Sequence, residues 1–196
     1  MIIQWELKLS AETAATRLLE EMNLLGEKFI DVHYILNNLT INKRNVKSHC
    51  DYLEGIKGYT FHSRGNFMVC YDPNNFHIHN VRFTLAHEIG HIYLGHFKEN
   101  NIDSRKIYGV CEYEANYFAA ALLMPDSILQ YCNTLKLSDI STKLKVSEES
   151  IGYRLNTLQY LHKNKGIHIG FCPTCGTLIY GKGARYCAHC GIKISA

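Results

Sequence analysis

No stretch of this 196-residue chain stays apolar for anything near the ~20 residues that a membrane-spanning helix needs, so no membrane contact is expected. The opening MIIQWELKLSAETAATRLLEEM lacks the basic start, apolar centre and small-residue cleavage site of a secretory signal, which sets the expectation of a cytoplasmic protein. Low-complexity tracts are missing, and the only internal repeat is a pair of short cysteine motifs. Acidic residues also run out: none follows Glu149, while Arg154, Lys163, Lys165, Lys182, Arg185 and Lys193 give that end +6 against a total of +3. A basic end on a slightly acidic body suits nucleic acid or an acidic protein as partner, although a solvated basic face would look the same. What is present in quantity is apolar surface: 46% hydrophobic residues with 20% charged can bury a real core, which excludes disorder by composition.

The cysteines fall into two groups. Cys50, Cys70, Cys111 and Cys132 are scattered, whereas Cys172, Cys175, Cys187 and Cys190 form two CxxC pairs, a division that a secreted disulfide framework would rarely show. Residues 10–24 read as an amphipathic helix capped by Ser10 with Glu12 in its first turn, a second helix is expected around 27–39, and a third over 42–54. Over 56–72 the period changes, and two runs rich in Tyr, Phe, Val and Met flank SRGN as in a β-hairpin closed by the turn DPNN. Helical spacing returns in VRFTLAHEIGHIYLGH, in 112–124, in 126–133 after Pro125, and in two short helices over 137–158 joined at LKVS. NKG at 164–166 marks a boundary, and short strands between cysteine turns make up the rest.

HEIGH, residues 87–91, is the first place where the chain offers chemistry. Residues four apart on an α-helix differ by about 40° in direction and about 6 Å in height, so His87 and His91 can converge on one ion at about 2.0–2.1 Å. Glu88 points to one side, free to accept a proton from water activated by the metal. An open zinc site needs a third protein ligand. His96 does not supply it through the extended pattern HExxHxxGxxH, which would require Gly and His where Leu94 and Phe97 stand. CEYEANYFAAALLMP offers Glu112 and Glu114, about 160° apart around a helix. Glu112 shares a face with Asn116 and Ala119, where small residues permit close packing, so Glu112 is the expected ligand and Asn116 the expected brace for one histidine. Tyr93 and His96 are among several candidates for stabilising an oxyanion, and the sequence does not choose between them.

RFTLAHEIGHIYLGH followed by EYEANYFAAALLMP resembles the ImmA/IrrE family of metallo-endopeptidases, and the preceding NFMVCYD and following VSEESIGYRLNTL fit the family's layout. The resemblance covers roughly residues 20–160. It implies a zinc-dependent endopeptidase acting on helix-turn-helix repressors of phages and mobile elements, with ligands His87, His91 and Glu112 and general base Glu88. Glu114 stays the alternative ligand.

CPTCG and CAHCG are separated by Gly176 to Tyr186, eleven residues. Four thiolates, Cys172, Cys175, Cys187 and Cys190, suit a closed tetrahedral zinc site, structural because it leaves no open position. His189 could stand in for one of them, although four cysteines suffice. The module resembles a zinc ribbon and has too few apolar residues to fold without metal. The expected cofactors are therefore two zinc ions, one catalytic and one structural. The expected fold is α+β: an N-terminal helical segment over 1–50, a mostly helical zincin-like metallopeptidase core with a small sheet over 51–163, and a ribbon over 164–196. A rival function comes from LSDISTKLKVSEESIGYRLNTL, which also reads as a helix-turn-helix with exposed Ser150, Arg154 and Asn156. Joined to the basic ribbon, it would make a DNA-binding regulator in which HEIGH holds a structural metal. Lys145 where Gly is common, and Glu148 and Glu149 where phosphates would lie, speak against it.

Overall fold

The computed structural model describes residues 2–74, 78–97 and 104–194. The fold is α+β. In chain order it comprises α1 (Ile2–Glu21), α2 (Val32–Asn38), β1 (Thr40–Ile41), β2 (Arg44–Asn45), β3 (Lys47–Cys50), β4 (Gly58–Ser63), β5 (Asn66–Tyr71), α3 (Ile78–Tyr93), α4 (Ser104–Leu123), α5 (Asp126–Tyr131), α6 (Leu137–Leu144), α7 (Glu148–Leu161), β6 (Ile167–Phe171) and β7 (Leu178–Lys182). Among the described residues no helix is long and apolar enough to cross a membrane.

α4 is the central element and packs on both α1 and α3. Ala11, Ala15, Leu18 and Leu19 from α1, Leu85 and Ile89 from α3, and Phe118, Ala119 and Leu122 from α4 are fully buried in one core. Gly90 lets α3 and α4 approach closely, since a Cβ there would lie 3.0 Å from the Phe118 ring and 3.3 Å from the Ala115 Cα. Three strands cover α3 in the order β3-β5-β4, with β3 parallel and β4 antiparallel to β5. The β4–β5 turn is Arg64-Gly65, both at positive φ, the geometry of a two-residue hairpin turn, and β4 is an edge of its sheet among the described residues. Gly58 brings β4 against α3: a Cβ there would meet Thr84 Cγ2 at 2.6 Å.

Local signals set several boundaries. Asp31 caps α2, its Oδ1 accepting from the amides of His33 (2.9 Å) and Tyr34 (3.2 Å). Ser147 caps α7, with Glu148 and Glu149 in the first turn, where they favour the helix dipole and solvent rather than a phosphate. Two expectations fail here. No helix spans 42–54: short strands β2 and β3 occupy that stretch, because Lys47–Cys50 pairs in parallel with Met68–Tyr71. Ser10 is not a cap either, since α1 begins at Ile2 and Ser10 and Glu12 lie inside it.

Arg154 gives a third correction. It is 1% exposed, with Nε donating to the Met124 carbonyl (2.9 Å) and both terminal nitrogens paired with the Glu12 carboxylate, so it ties α7 to α1 instead of facing solvent. The C-terminal hairpin is likewise drawn into the body. Ile169, Leu178 and Tyr180 join the main core, the Leu178 amide donates to the Leu135 carbonyl (2.7 Å), and the Thr134 amide donates to the Leu178 carbonyl (2.8 Å). The Tyr180 hydroxyl donates to Asp126, whose other carboxylate oxygen lies 3.1 Å from His162 Nε2.

Candidate metal centres

His87 and His91 project from one face of α3, Glu112 from the facing surface of α4, and the close approach at Gly90 brings the three together. Their Nε2 atoms lie 2.9 Å apart, His87 Nε2 is 3.3 Å from Glu112 Oε2, and His91 Nε2 is 3.2 Å from Glu112 Oε1. Donors about 2.0–2.1 Å from one ion in tetrahedral array would sit roughly 3.3–3.4 Å apart. The two imidazole–carboxylate separations match that spacing and the imidazole pair is somewhat closer, and two imidazoles with a carboxylate are a donor set that suits zinc. Burial, then the neighbouring His87 and His91's other neighbour His96, lowers the His91 pKa to about 3, so its imidazole is neutral, the form that ligates.

The far side of each imidazole is also occupied. His87 Nδ1 lies 3.0 Å from Asn116 Oδ1, the bracing role expected for Asn116 from its i+4 spacing to Glu112. His91 Nδ1 lies 2.9 Å from His96 Nδ1, and His96 Nε2 lies 3.3 Å from Glu114 Oε2. Glu112 thus joins the histidine pair, whereas Glu114 turns to His96. Glu88 stays out of the donor cluster and is nearly buried. The Thr60 hydroxyl on β4 donates to its Oε2 at 2.7 Å. Burial holds the Glu88 carboxyl above the usual carboxylate range, opposed by the Thr60 hydrogen bond and by His87. Thr60 was not legible in the sequence: a strand threonine 28 positions upstream carries no local mark of its partner. Of the oxyanion candidates, Tyr93 lies against Phe118 and bonds Glu21, its hydroxyl raised to about 12 by burial and then by that carboxylate, so it is engaged with α1. His96 is engaged behind His91.

The second centre is built from turns. Cys172 and Cys190 have Sγ atoms 3.6 Å apart, as do Cys175 and Cys187, and all four Sγ atoms lie within 4.8 Å of one another. A tetrahedron with Zn–S arms of about 2.3 Å has edges near 3.8 Å, so four thiols at this spacing fit zinc too. The two knuckles repeat one another: the Gly176 amide donates to the Cys172 carbonyl and the Gly191 amide to the Cys187 carbonyl, each at 2.9 Å, with both glycines at positive φ. Backbone amides of Cys190 and His189 lower the Cys187 thiol to about 6, while crowding by the other three thiols pushes Cys190 up, as expected of four sulfurs gathered at one point. His189 is exposed and lies outside this four-sulfur group.

Two histidines one helical turn apart and a carboxylate from a second helix, with a glutamate between the histidines that is not among the donors, match the pattern of the His-Glu-x-x-His metallopeptidases. The family model Peptidase_M78, the IrrE N-terminal-like domain, matches residues 53–156, more than half of the chain, and the chain belongs to this metallopeptidase family. A search of curated proteins finds no match. Among solved structures, the chain is similar to a Mycobacterium tuberculosis transcriptional regulator, with a TM-score of 0.59 at 15% identity over 80% of this chain and 52% of that one. At that identity the likeness shows a shared fold, and the chain spans about half the length of that regulator.

Proposed function

We propose that the chain is a zinc-dependent endopeptidase that hydrolyses a peptide bond in a partner protein, a helix-turn-helix repressor. The core lies over 51–163, preceded by the helical segment 1–50 and followed by the ribbon 164–196. The observation that carries the reading is the convergence of His87, His91 and Glu112 with Glu88 beside them but outside the donor cluster. Zinc held by those three residues would supply a Lewis acid that lowers the pKa of bound water to about 7 and polarises the scissile carbonyl. Glu88 takes the water's proton and returns it to the leaving amine, and burial suits it to that exchange because it brings the carboxyl closer to neutral pH. Thr60 fixes one Glu88 oxygen and leaves the other for the proton. Because Thr60 belongs to an edge strand, an extended peptide pairing along β4 would pass beside Glu88. Four cysteines hold the second, structural zinc.

The repressor as substrate is supported by family membership and by the fold shared with a protein named as a transcriptional regulator. The rival DNA-binding reading loses its main contact, since Arg154 is buried against Glu12 and Met124. Exposed Lys182, Arg185 and Lys193 on the ribbon remain a surface for holding an acidic protein or nucleic acid. The deciding experiment incubates the protein with the repressor encoded beside its gene, with and without chelator, and reads fragments by mass spectrometry. Chelator-sensitive cleavage is expected, and an intact repressor under both conditions would overturn the substrate assignment.

A further inference from the structure

The end of α3 folds back on itself. Gly95 has φ +77°, its amide donates to the Ile92 carbonyl (3.1 Å), and the His96 amide donates to the His91 carbonyl (3.0 Å). Paired bonds of this kind, closing six and four residues around a left-handed glycine, form a Schellman stop, which returns the residue after the glycine over the last turn. Here that residue is His96, and the stop delivers its ring to the back of His91.

We infer that His96 and Glu114 are a positioning pair for His91, an inference that rests on the zinc reading of the His87–His91–Glu112 centre. The hydrogen-bond directions follow from chemistry. If Nε2 of His91 faces the metal, that atom carries a lone pair, so the ring proton is on Nδ1 and is donated to His96 Nδ1 across 2.9 Å. His96 then accepts at Nδ1 and carries its own proton on Nε2, where Glu114 Oε2 accepts it at 3.3 Å. Each atom has one role, and the chain ends on a carboxylate, which makes His91 a stronger donor to the metal. His87 uses the shorter version of the same device, with Nδ1 donating to Asn116 Oδ1. The side chains of His91, His96 and Glu114 are 12%, 9% and 18% exposed, so water competes little for these bonds. This pairing also explains why the chain carries two glutamates two positions apart: one faces the metal, and the other serves the residue behind it.

The test measures zinc affinity of the full-length protein by competition with a chromophoric chelator, with the four-cysteine site as an internal control for folding. His96→Leu removes the acceptor, whereas His96→Asn places an amide oxygen where Nδ1 was and keeps it. Affinity at the histidine site is expected to fall roughly 10–100-fold in His96→Leu, to stay close to the parent in His96→Asn, and to fall by a smaller factor in Glu114→Ala. The cysteine site should be unchanged in all three. Equal weakening by Leu and Asn, or no weakening by either, would overturn the positioning role while leaving the zinc site intact. A parent protein that takes up one zinc only, lost in cysteine variants alone, would overturn the zinc reading itself and this inference with it.

Discussion

The two centres solve opposite problems. His87, His91 and Glu112 come from two long helices that are already locked together by Ile89, Phe118 and Ala119, so the fold assembles the donors and an ion is a later guest. Cys172, Cys175, Cys187 and Cys190 come from two tight turns with a small apolar cluster of Cys172, Ile179 and Cys187, so a metal bound there would supply cohesion that packing at the knuckles does not, although the hairpin itself reaches the main core through Ile169, Leu178 and Tyr180. One site is bound by structure, and the other binds structure. Loss of either metal should therefore look different: lost chemistry with a retained fold in the first case, a loosened fold in the second.

The largest expected effect sharpens this contrast at the open site. Glu88→Gln should slow hydrolysis by ~10²–10⁴-fold because it removes a proton acceptor, while zinc content and melting temperature stay near the parent values. His87→Ala and Glu112→Ala should lose the zinc of that site and leave the ribbon zinc in place. Metal analysis in which Glu114→Ala empties the site and Glu112→Ala does not would reverse the ligand choice.

At the closed site, Cys172→Ser with Cys175→Ser should lower zinc from two per chain to one. Because Ile169, Leu178 and Tyr180 belong to the main core, the damage should spread beyond the ribbon, destabilising the protein by about 3 kcal/mol or more and lowering Tm by roughly 6–12 °C or more. A thermal melt that matches the parent would show that the hairpin holds its place without metal. The same packing means that removing 164–196 would strip the core of three buried side chains.

How much of this could be read from the chain alone depends on the range of each interaction. Glu112, Asn116 and the histidine pair were legible because helical angles fix which residues share a face, and the SRGN hairpin was legible because its turn chemistry is local. The stretch 42–54 was not, since β3 owes its strand form to Met68–Tyr71 some twenty residues on. The start of α1 is not legible because its first turns continue past a serine that resembles a cap. Arg154 looked like a surface residue of a reading helix, and only Glu12 at the other end of the chain reveals otherwise. His96 did leave a signal, the glycine just before it, but that signal marks a helix stop and not what the next side chain will touch.

Two smaller effects complete the comparison. Asn116→Ala should weaken zinc at the histidine site by about tenfold by freeing the His87 ring, measured by chelator competition, with the cysteine site again unaffected. Smallest is reversal of Lys182, Arg185 and Lys193 to Glu. It should slow cleavage of the intact partner a few-fold at low salt and spare a short peptide, and the difference should vanish near 1 M salt, where the Debye length is about 3 Å. A salt-independent loss on both substrates would place these residues in the peptidase fold instead.

Gly90 carries a consequence for metal choice. It immediately precedes His91, where α3 meets the Phe118 ring and the Ala115 backbone of α4, so the separation of the two helices that carry the donors is set by this contact as well as by the donors' own rotamers. A methyl group there would act as a shim, parting the helices without removing any donor. The aperture offered to an ion is thus written in a residue that never meets it, and a shift in preference toward larger cations is expected to begin at Gly90 before it begins at any ligand.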